Sequence, residues 1–546
     1  MTERGHQSIL ITGCRVYTGD AAAPWAEAVV TCGNCIAYVG TEAEARLQAA
    51  THAKVIHVPG GLVTAGLNDS HAHLNLAAYN LRTLNLEGAT TLEMVQTRLR
   101  EYAAAHPDRA WIEGYGLSYE PFAGLHRAER VVLDEVVPDR PVFLRAFDFH
   151  SAWCNTLALQ RAGIDRGANV PAPNEVVLDT QTGDATGMLK EQLACKSVTD
   201  LIDQPTSEQM EAMLLHAMQY VNRLGITSVQ NMDATRERLQ QFQRLRERER
   251  LTVRANHYMS VGEITPLDYL DECAACAQQY SDLWNHTTGI KMFIDGVVES
   301  KTALMMQPYA DGSGDTGVPD MDPDVHRNIA KAAHALGLDV ATHAIGDRGV
   351  HLVLDAYEAA QQAHGGRGDR RHRIEHIEVI QPSDIGRFAA LGITASMQPL
   401  HAAPTTDPRY TPWTQLVGPE REGYGFAWRR LLDTGAHLAF GSDWPVVTPD
   451  VRKGLHAALT RTDSTGEPQG GWQPQQCVTL AQALDGYTRE AAYAERQEHH
   501  KGTLRPGMLA DITVFGGDLF SVPPAQLADV DVVLTMVDGR IVHRAQ

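Results

Sequence analysis

The sequence predicts an α/β protein, a (β/α)8 TIM barrel with a small β-sandwich domain formed by both termini and an insertion after barrel strand 1. Eight apolar, β-rich runs follow one another along the chain, and helical patterns separate several of them. Hairpin-like segments lie near both ends of the chain. The interval after the first run is far too long for a single crossover helix, which predicts an inserted subdomain.

One small β domain is predicted to form from the two ends of the chain, residues 1–62 and 500–546. The apolar, β-branched runs within 8–62 are punctuated by Gly, Asn and Pro, a pattern typical of hairpins. Near the other end, Asp538 and Gly539 form a tight-turn pair between two further runs. Two separated β regions at the chain ends therefore indicate a single domain to which both contribute.

The barrel is assigned to residues 63–79 and 216–499, and the inserted subdomain to residues 80–215. Two of the helical patterns, at 328–337 and 383–392, end in Gly, as expected at a helix C-terminus. Repeated strand–helix units imply parallel strands, and eight such units predict a closed barrel. The eight runs are 62–73, 225–233, 252–260, 289–296, 339–347, 372–380, 392–399 and 437–445.

The composition is that of an ordinary globular protein, with 546 residues of which 43% are hydrophobic and 21% are charged. A formal net charge of −20 disfavours nucleic acid and anionic membrane surfaces as partners. We find no apolar run of membrane-spanning length and no secretory signal pattern at the start. A cytoplasmic protein with a small-molecule substrate is therefore expected.

Side chains able to bind a metal recur near the ends of the runs, which is where active sites lie in a (β/α)8 barrel. His71 and His73 are two residues apart on one strand, so both imidazoles face the same side. Each residue alone has an ordinary structural explanation, but the joint pattern predicts a metal site on the barrel axis. The predicted set is His71, His73, Lys291, His343, His376 and Asp443.

Several motifs resemble those of the amidohydrolase superfamily, and within it the amidohydrolase-3 or YtcJ-like group of metal-dependent hydrolases. The resemblance spans nearly the whole chain, and the ordered set is far more specific than the His-x-His pair alone. The group includes enzymes such as N-substituted formamide deformylases. The segments that carry the resemblance are 69–74, 144–153, 290–303, 342–347, 373–376, 441–445 and 502–515.

The resemblance implies that the six residues hold two divalent metal ions, with Zn2+ as the expected metal. It also implies that Lys291 is carboxylated by CO2 and bridges the two ions as a carbamate. Asp443, Lys291 and His376 take catalytic roles, with Asp443 as the proton acceptor. A mononuclear deaminase is the nearest competitor, but the stretch after His343 lacks the glutamate that such enzymes usually have. A homodimer is a further expectation from the family.

The predicted reaction is hydrolysis of a C–N (amide-type) bond in a small, hydrophobic, N-substituted amide by a metal-bridged hydroxide. Hydrolysis of a lactone, ester or carbamate uses the same chemistry and stays open. A non-catalytic binding protein on the same fold is a more distant alternative, since no predicted ligand is missing. The predicted substrate contacts are His150, Trp153, Met305 and Trp444.

Overall fold

The computed structural model describes residues 8–122, 129–147, 149, 151–170, 174–402 and 411–545. The chain divides into two compact units. One consists of Met1–His73 and Met218–Gln546, and the other of Leu74–Ala217. The predicted three-part division into β domain, barrel and insertion stays an interpretation of this arrangement.

Eight parallel strands form the central sheet of the first unit, and each pairs with the next along the chain. Each of the eight predicted runs overlaps one of these strands, and the predicted fold class is confirmed. The barrel strands are Leu67–Ala72, Ile226–Ala234, Arg254–Ser260, Asn285–Phe293, Asp339–Ala344, Arg373–His376, Thr394–Met397 and Leu438–Phe440.

The barrel closes through the residues that follow its last strand. The Asp443 amide donates to the His71 carbonyl at 2.7 Å, and the His73 amide donates to the Trp444 carbonyl at 2.8 Å. Asp69 reinforces this seam, because its carboxylate accepts from the Ser442 amide at 2.8 Å and from the Ser442 hydroxyl at 2.5 Å. The first and last strand segments are thereby held edge to edge.

Helices follow the barrel strands, as repeated β–α units require. The two predicted helices correspond to Pro323–Ala335 and Pro382–Leu391, and the second ends at Gly392 with a left-handed φ of 64°. In the described part of the chain, no helix is long and apolar enough to cross a membrane. The remaining helices of this region are Ser207–Arg223, Arg236–Glu247, Tyr269–Gln279, Asp347–Ala363, Pro412–Val417, Pro419–Glu422, Trp428–Asp433, Val451–Thr460, Leu480–Gly486 and Arg489–Ala494.

Strands from both ends of the chain form one eight-stranded sheet, accompanied by the helix Glu42–Gln48. Its last N-terminal strand leads through Gly66 directly into the first barrel strand. A Cβ at Gly66 would lie 2.3 Å from the Thr227 hydroxyl, so this junction leaves no room for a side chain. The strands are Ser8–Tyr17, Trp25–Ala26, Ala28–Cys32, Cys35–Gly40, Lys54–Ala65, Ile512–Phe515, Val532–Val537 and Arg540–Arg544.

The second unit has a six-stranded mixed sheet and two hydrophobic clusters of its own. Trp153 lies in one of these clusters, fully buried, with its ring edge-on to Phe122 at 4.9 Å. The strands are Leu84–Asn85, Ile112–Leu117, Val142–Ala146, Ser151–Cys154, Glu175–Leu178 and Ala185–Lys190. The helices are Leu74–Asn80, Leu92–Ala105, Arg130–Asp134, Thr156–Ala162 and Gln192–Thr199.

Because the fold contains buried histidines, we expect its free energy of unfolding to decrease in mild acid. Burial lowers the pKa of His326 to about 3, and its Nε2 atom lies 3.0 Å from the Thr342 hydroxyl. The unfolded chain takes up a proton on this imidazole below pH about 6.5, whereas the folded chain does not. His326 should therefore contribute to a loss on the order of 2 kcal/mol in unfolding free energy from pH 7 to pH 5.

Urea titrations at several pH values test this prediction. The His326→Gln variant should show a shallower decline of unfolding free energy with falling pH than the unmodified protein. His499→Gln is the control, because this histidine side chain is 85% exposed and should leave the pH dependence unchanged. Identical slopes for the His326→Gln variant and the unmodified protein would contradict the assignment.

Candidate metal centre

The first group of donor atoms consists of His71 in the first barrel strand, His73 directly after that strand, and Asp443 after the last strand. His71 Nε2 lies 3.3 Å from Asp443 Oδ1, and His73 Nε2 lies 3.1 Å from the same oxygen. The two imidazoles converge because they belong to residues 71 and 73 of one extended segment. Asp443 reaches them because the barrel seam places it beside the first strand.

A second group shares Asp443 with the first and consists of His376, His401 and Asp443. The donor atoms of this trio lie within 4.8 Å of one another. His401 Nε2 is 3.8 Å from Asp443 Oδ2, and the His401 and His376 rings are parallel with their centroids 5.9 Å apart. His401 was not predicted, since it lies three residues past Gln398, in a short helical turn beyond the seventh strand.

Lys291 and His343 lie on adjacent strands near these groups, although neither belongs to the two trios. Lys291 is buried, and its Nζ atom has no hydrogen-bond partner among the described residues. Burial lowers the pKa of Lys291 to about 8, despite the opposing charges of Glu375 and Asp443. His343 Nε2 donates to the Gly296 carbonyl at 3.1 Å, and the His343 ring lies 4.5 Å from that of His376.

The charges of the site are set by burial and by the neighbouring rings. Burial tends to raise the pKa of Asp443, but His71 and His73 outweigh it and hold this pKa well below its usual range. Burial, followed by His343, lowers the pKa of His376 well below its ordinary value. Asp443 and His376 are therefore held in the deprotonated forms that bind a divalent cation. Burial alone would lower the pKa of His73, but the hydrogen bond and charge of Asp443 outweigh it and raise this pKa.

A buried ion pair beneath the donor groups orients His71. His71 Nδ1 donates to Glu375 Oε2 at 2.6 Å, and Glu375 Oε1 accepts from Arg373 Nε at 2.5 Å. Arg373 also donates to the Ser70 carbonyl and the Ser396 hydroxyl, both at 2.6 Å, and to Gln230. Carboxylates that hold the second nitrogen of a ligating histidine commonly fix its tautomer and ring orientation.

Backbone conformation also directs two donors into the site. His376 has a φ of 76° and Asp443 a φ of 63°. Both values lie in the left-handed region, which residues other than glycine rarely adopt. Such conformations cluster at functional sites because the surrounding structure enforces them. His376 Nδ1 is held further by Gln398 Oε1 at 2.9 Å. Adjacent residues of a strand point to opposite faces, so the turn at His376 allows it and Glu375 to serve the same site.

Unpaired buried atoms indicate that this donor set can hold a metal ion, and this evidence does not depend on the resemblance to a known family. Several buried polar atoms make no hydrogen bond within the described ranges: His71 Nε2, His401 Nε2, Asp443 Oδ1 and Lys291 Nζ. Leaving such atoms without a partner costs about 1–3 kcal/mol each, so their concentration at one place indicates a ligand. Imidazole nitrogens and carboxylate oxygens are donors typical of zinc and related divalent metals.

The predicted substrate contacts fall in different places. Met305 is fully buried, and Trp444 is 5% exposed and stacks on Tyr220 at 5.4 Å. Trp153 has the environment of a core residue in its own unit, and no substrate role is proposed for it. His150 lies outside the described residues.

The barrel and its two donor groups define a candidate metal-binding enzyme. The chain belongs to the amidohydrolase family, whose model matches residues 54–543. This match confirms the family that the motifs predicted and the predicted class of enzyme, a metal-dependent amidohydrolase. The roles of the individual site residues stay predictions.

Three known proteins illustrate the relationship. The chain is 30% identical over 519 residues to Protein LONG AFTER FAR-RED 3 of Arabidopsis thaliana, covering 93% of this chain and 86% of that protein. It is 27% identical over 550 residues to an N-substituted formamide deformylase of Arthrobacter pascens, covering 98% of each. A solved structure of an uncharacterized metal-dependent hydrolase from Pyrococcus furiosus has a TM-score of 0.73 and 25% identity, covering 94% of this chain and 99% of that one.

The Glu375–His71 contact predicts a measurable effect on metal binding. The Glu375→Gln substitution removes the charge that orients His71 and balances Arg373, so we expect metal affinity to fall about 10–100-fold. The unfolding free energy should also drop by about 3 kcal/mol or more, because Arg373 is left buried without its counter-ion. Competition with a chromogenic chelator measures the first effect and urea titration of the apoprotein the second.

Glu498→Gln is the matched control, since Glu498 pairs with Arg371 at 3.0 Å but is 21% exposed. This variant should change neither metal affinity nor stability by more than a small amount. Metal affinity in the Glu375→Gln variant equal to that of the unmodified protein would show that Glu375 does not orient a ligand.

Proposed function

We propose that this protein hydrolyses the C–N (amide-type) bond of a small N-substituted amide. The observation that carries the proposal is the convergence of His71, His73, His376 and Asp443 at the ends of the barrel strands. Within the described residues, His71 Nε2 and Asp443 Oδ1 are buried there without a hydrogen-bond partner. In a (β/α)8 barrel this end houses the active site. The family relationship supports hydrolysis as the reaction.

Two divalent metal ions, with Zn2+ the expected identity, complete the proposed site. His71, His73 and Asp443 would hold one ion, and His343 and His376 the other, with a carboxylated Lys291 between them. Support for two ions comes from the two donor groups that share Asp443. Support for the carbamate comes from the buried lysine with a lowered pKa, because CO2 reacts with the neutral amine.

Metal ions in such a site lower the pKa of water and polarise a substrate carbonyl. The protein's own contribution begins with Asp443, whose carboxylate is held charged and within reach of both donor groups. Asp443 takes the proton lost by the attacking water and returns it to the leaving nitrogen. His376 is fixed by Gln398, and Glu375 fixes His71, so the donors need little reorganisation during the reaction.

An N-substituted amide with a hydrophobic group is the proposed substrate class. Met305 and Trp444, the apolar contacts proposed for it, follow the fourth and eighth barrel strands, and Trp444 keeps 5% of its surface exposed. The relative from Arthrobacter pascens is an N-substituted formamide deformylase and aligns with 98% of this chain. A screen of N-substituted formamides and longer amides, with lactones, esters and carbamates alongside, tests the class directly. Turnover of lactones or esters without turnover of any amide would overturn it.

Asp443 should be essential for turnover. In the Asp443→Asn variant we expect kcat to fall at least 10²-fold, because an amide cannot accept the proton. Much of the metal should remain, since the amide oxygen and the histidines still bind, and elemental analysis checks this. Asp324→Asn is the control on an exposed helix start, with a side chain 79% exposed. Near-normal turnover in the Asp443→Asn variant would remove Asp443 from the proton-transfer role.

Lys291 should carry CO2 as a carbamate. Reconstitution with metal and 13C-bicarbonate should give a carbamate carbon signal in NMR spectra of the unmodified protein. The signal should be absent from the Lys291→Met variant and present in Lys453→Met, a control at an exposed lysine. A metal-loaded, active protein without this signal would show that the lysine acts unmodified.

A further inference from the structure

His401 has the features of a ligand that sequence motifs do not assign. It lies on the short helical turn Pro399–Ala402, directly after the seventh barrel strand. Its Nε2 atom is buried and has no hydrogen-bond partner in the described part of the chain. A nitrogen withdrawn from water in this way is costly unless something binds it.

The surroundings of His401 favour a cation as that partner. Asp443 Oδ2 lies 3.8 Å from His401 Nε2, too far for a hydrogen bond. Donor atoms of His376, His401 and Asp443 lie within 4.8 Å of one another and come from three separate segments of the barrel. One ion with bonds of about 2.0–2.2 Å to nitrogen and oxygen can contact atoms spaced in this way after small adjustments.

The hydrogen bonds of the neighbouring histidines support the same assignment. His376 Nδ1 donates to Gln398 Oε1 at 2.9 Å, which leaves its Nε2 atom with a free lone pair. His343, by contrast, uses its Nε2 atom on the Gly296 carbonyl at 3.1 Å and joins neither donor trio. The second group of donors therefore centres on His376 and His401.

We propose that His401 is a ligand of the second metal ion, together with His376 and Asp443. The inference rests on the proposed function, because it requires that the site bind metal. It changes that proposal at the second ion, where His401 and Asp443 join His376, while His343 keeps its bond to the Gly296 carbonyl. Asp443 would then belong to both sites, with His71 and His73 as donors of the first and His376 and His401 as donors of the second.

Metal binding by the full-length protein tests the inference without relying on activity. The protein is stripped with a chelator and titrated with Co2+, and bound metal is counted by elemental analysis while the visible spectrum reports each site. We expect two equivalents in the unmodified protein and one in His401→Ala, with the first-site spectrum retained. His499→Ala, an exposed histidine, should retain two equivalents. Thermal unfolding of the apoproteins checks that His401→Ala folds, and His401→Gln provides a variant of closer size.

Each outcome is decisive. Loss of one equivalent from both His401 variants, with apoprotein stability unchanged, supports the assignment. Two equivalents and an unchanged cobalt spectrum in both variants would overturn it, and a fall in kcat alone would then make His401 a donor to the substrate. A single equivalent in the unmodified protein would overturn it as well. Absence of metal binding and of hydrolysis in the unmodified protein would instead overturn the proposed function itself.

Discussion

The buried Glu375–Arg373 pair is the interaction on which the geometry of the site depends. Both side chains are fully buried inside the barrel, where removing two charges from water is expensive. Full hydrogen bonding offsets this cost, since Arg373 contacts the first, second, sixth and seventh strands through Ser70, Gln230, Glu375 and Ser396. One guanidinium therefore fixes the relative positions of four strands directly beneath the donor atoms.

This pair also determines which nitrogen of His71 is available. Glu375 accepts a hydrogen bond from His71 Nδ1, which favours the tautomer whose lone pair is on Nε2, the atom that faces Asp443. Gln398 does the same for His376 through an uncharged amide. The two donor groups are thus supported differently, one by a carboxylate that raises ligand basicity and one by a neutral acceptor that only orients the ring.

Much of the barrel could be predicted from the sequence, because strands buried on both faces are continuous apolar runs bounded by Gly and polar residues. The same runs led to the prediction of His71, His73, His343, His376 and Asp443 as site residues, since these residues lie at or shortly after the ends of strands.

The roles of His401 and Glu375 could not be predicted from the pattern of apolar runs. His401 lies beyond its strand in a helical turn, where no periodicity relates it to the site. Trp153 illustrates the converse, because an aromatic residue in an extended run has the same pattern whether it packs in a core or faces a ligand. The role of Glu375 depends on a contact with His71, a residue distant in sequence, which a single sequence does not reveal.

The seam between the first and last strands has a consequence for how the protein is made. The first donor group draws His71 and His73 from near the start of the barrel and Asp443 from its end, across the junction that Asp69 and Ser442 close. During synthesis, the first two proposed ligands leave the ribosome long before Asp443 exists. The complete donor group can therefore form only after nearly the whole barrel has been synthesised, and a chain that ends before Asp443 lacks one of its three members.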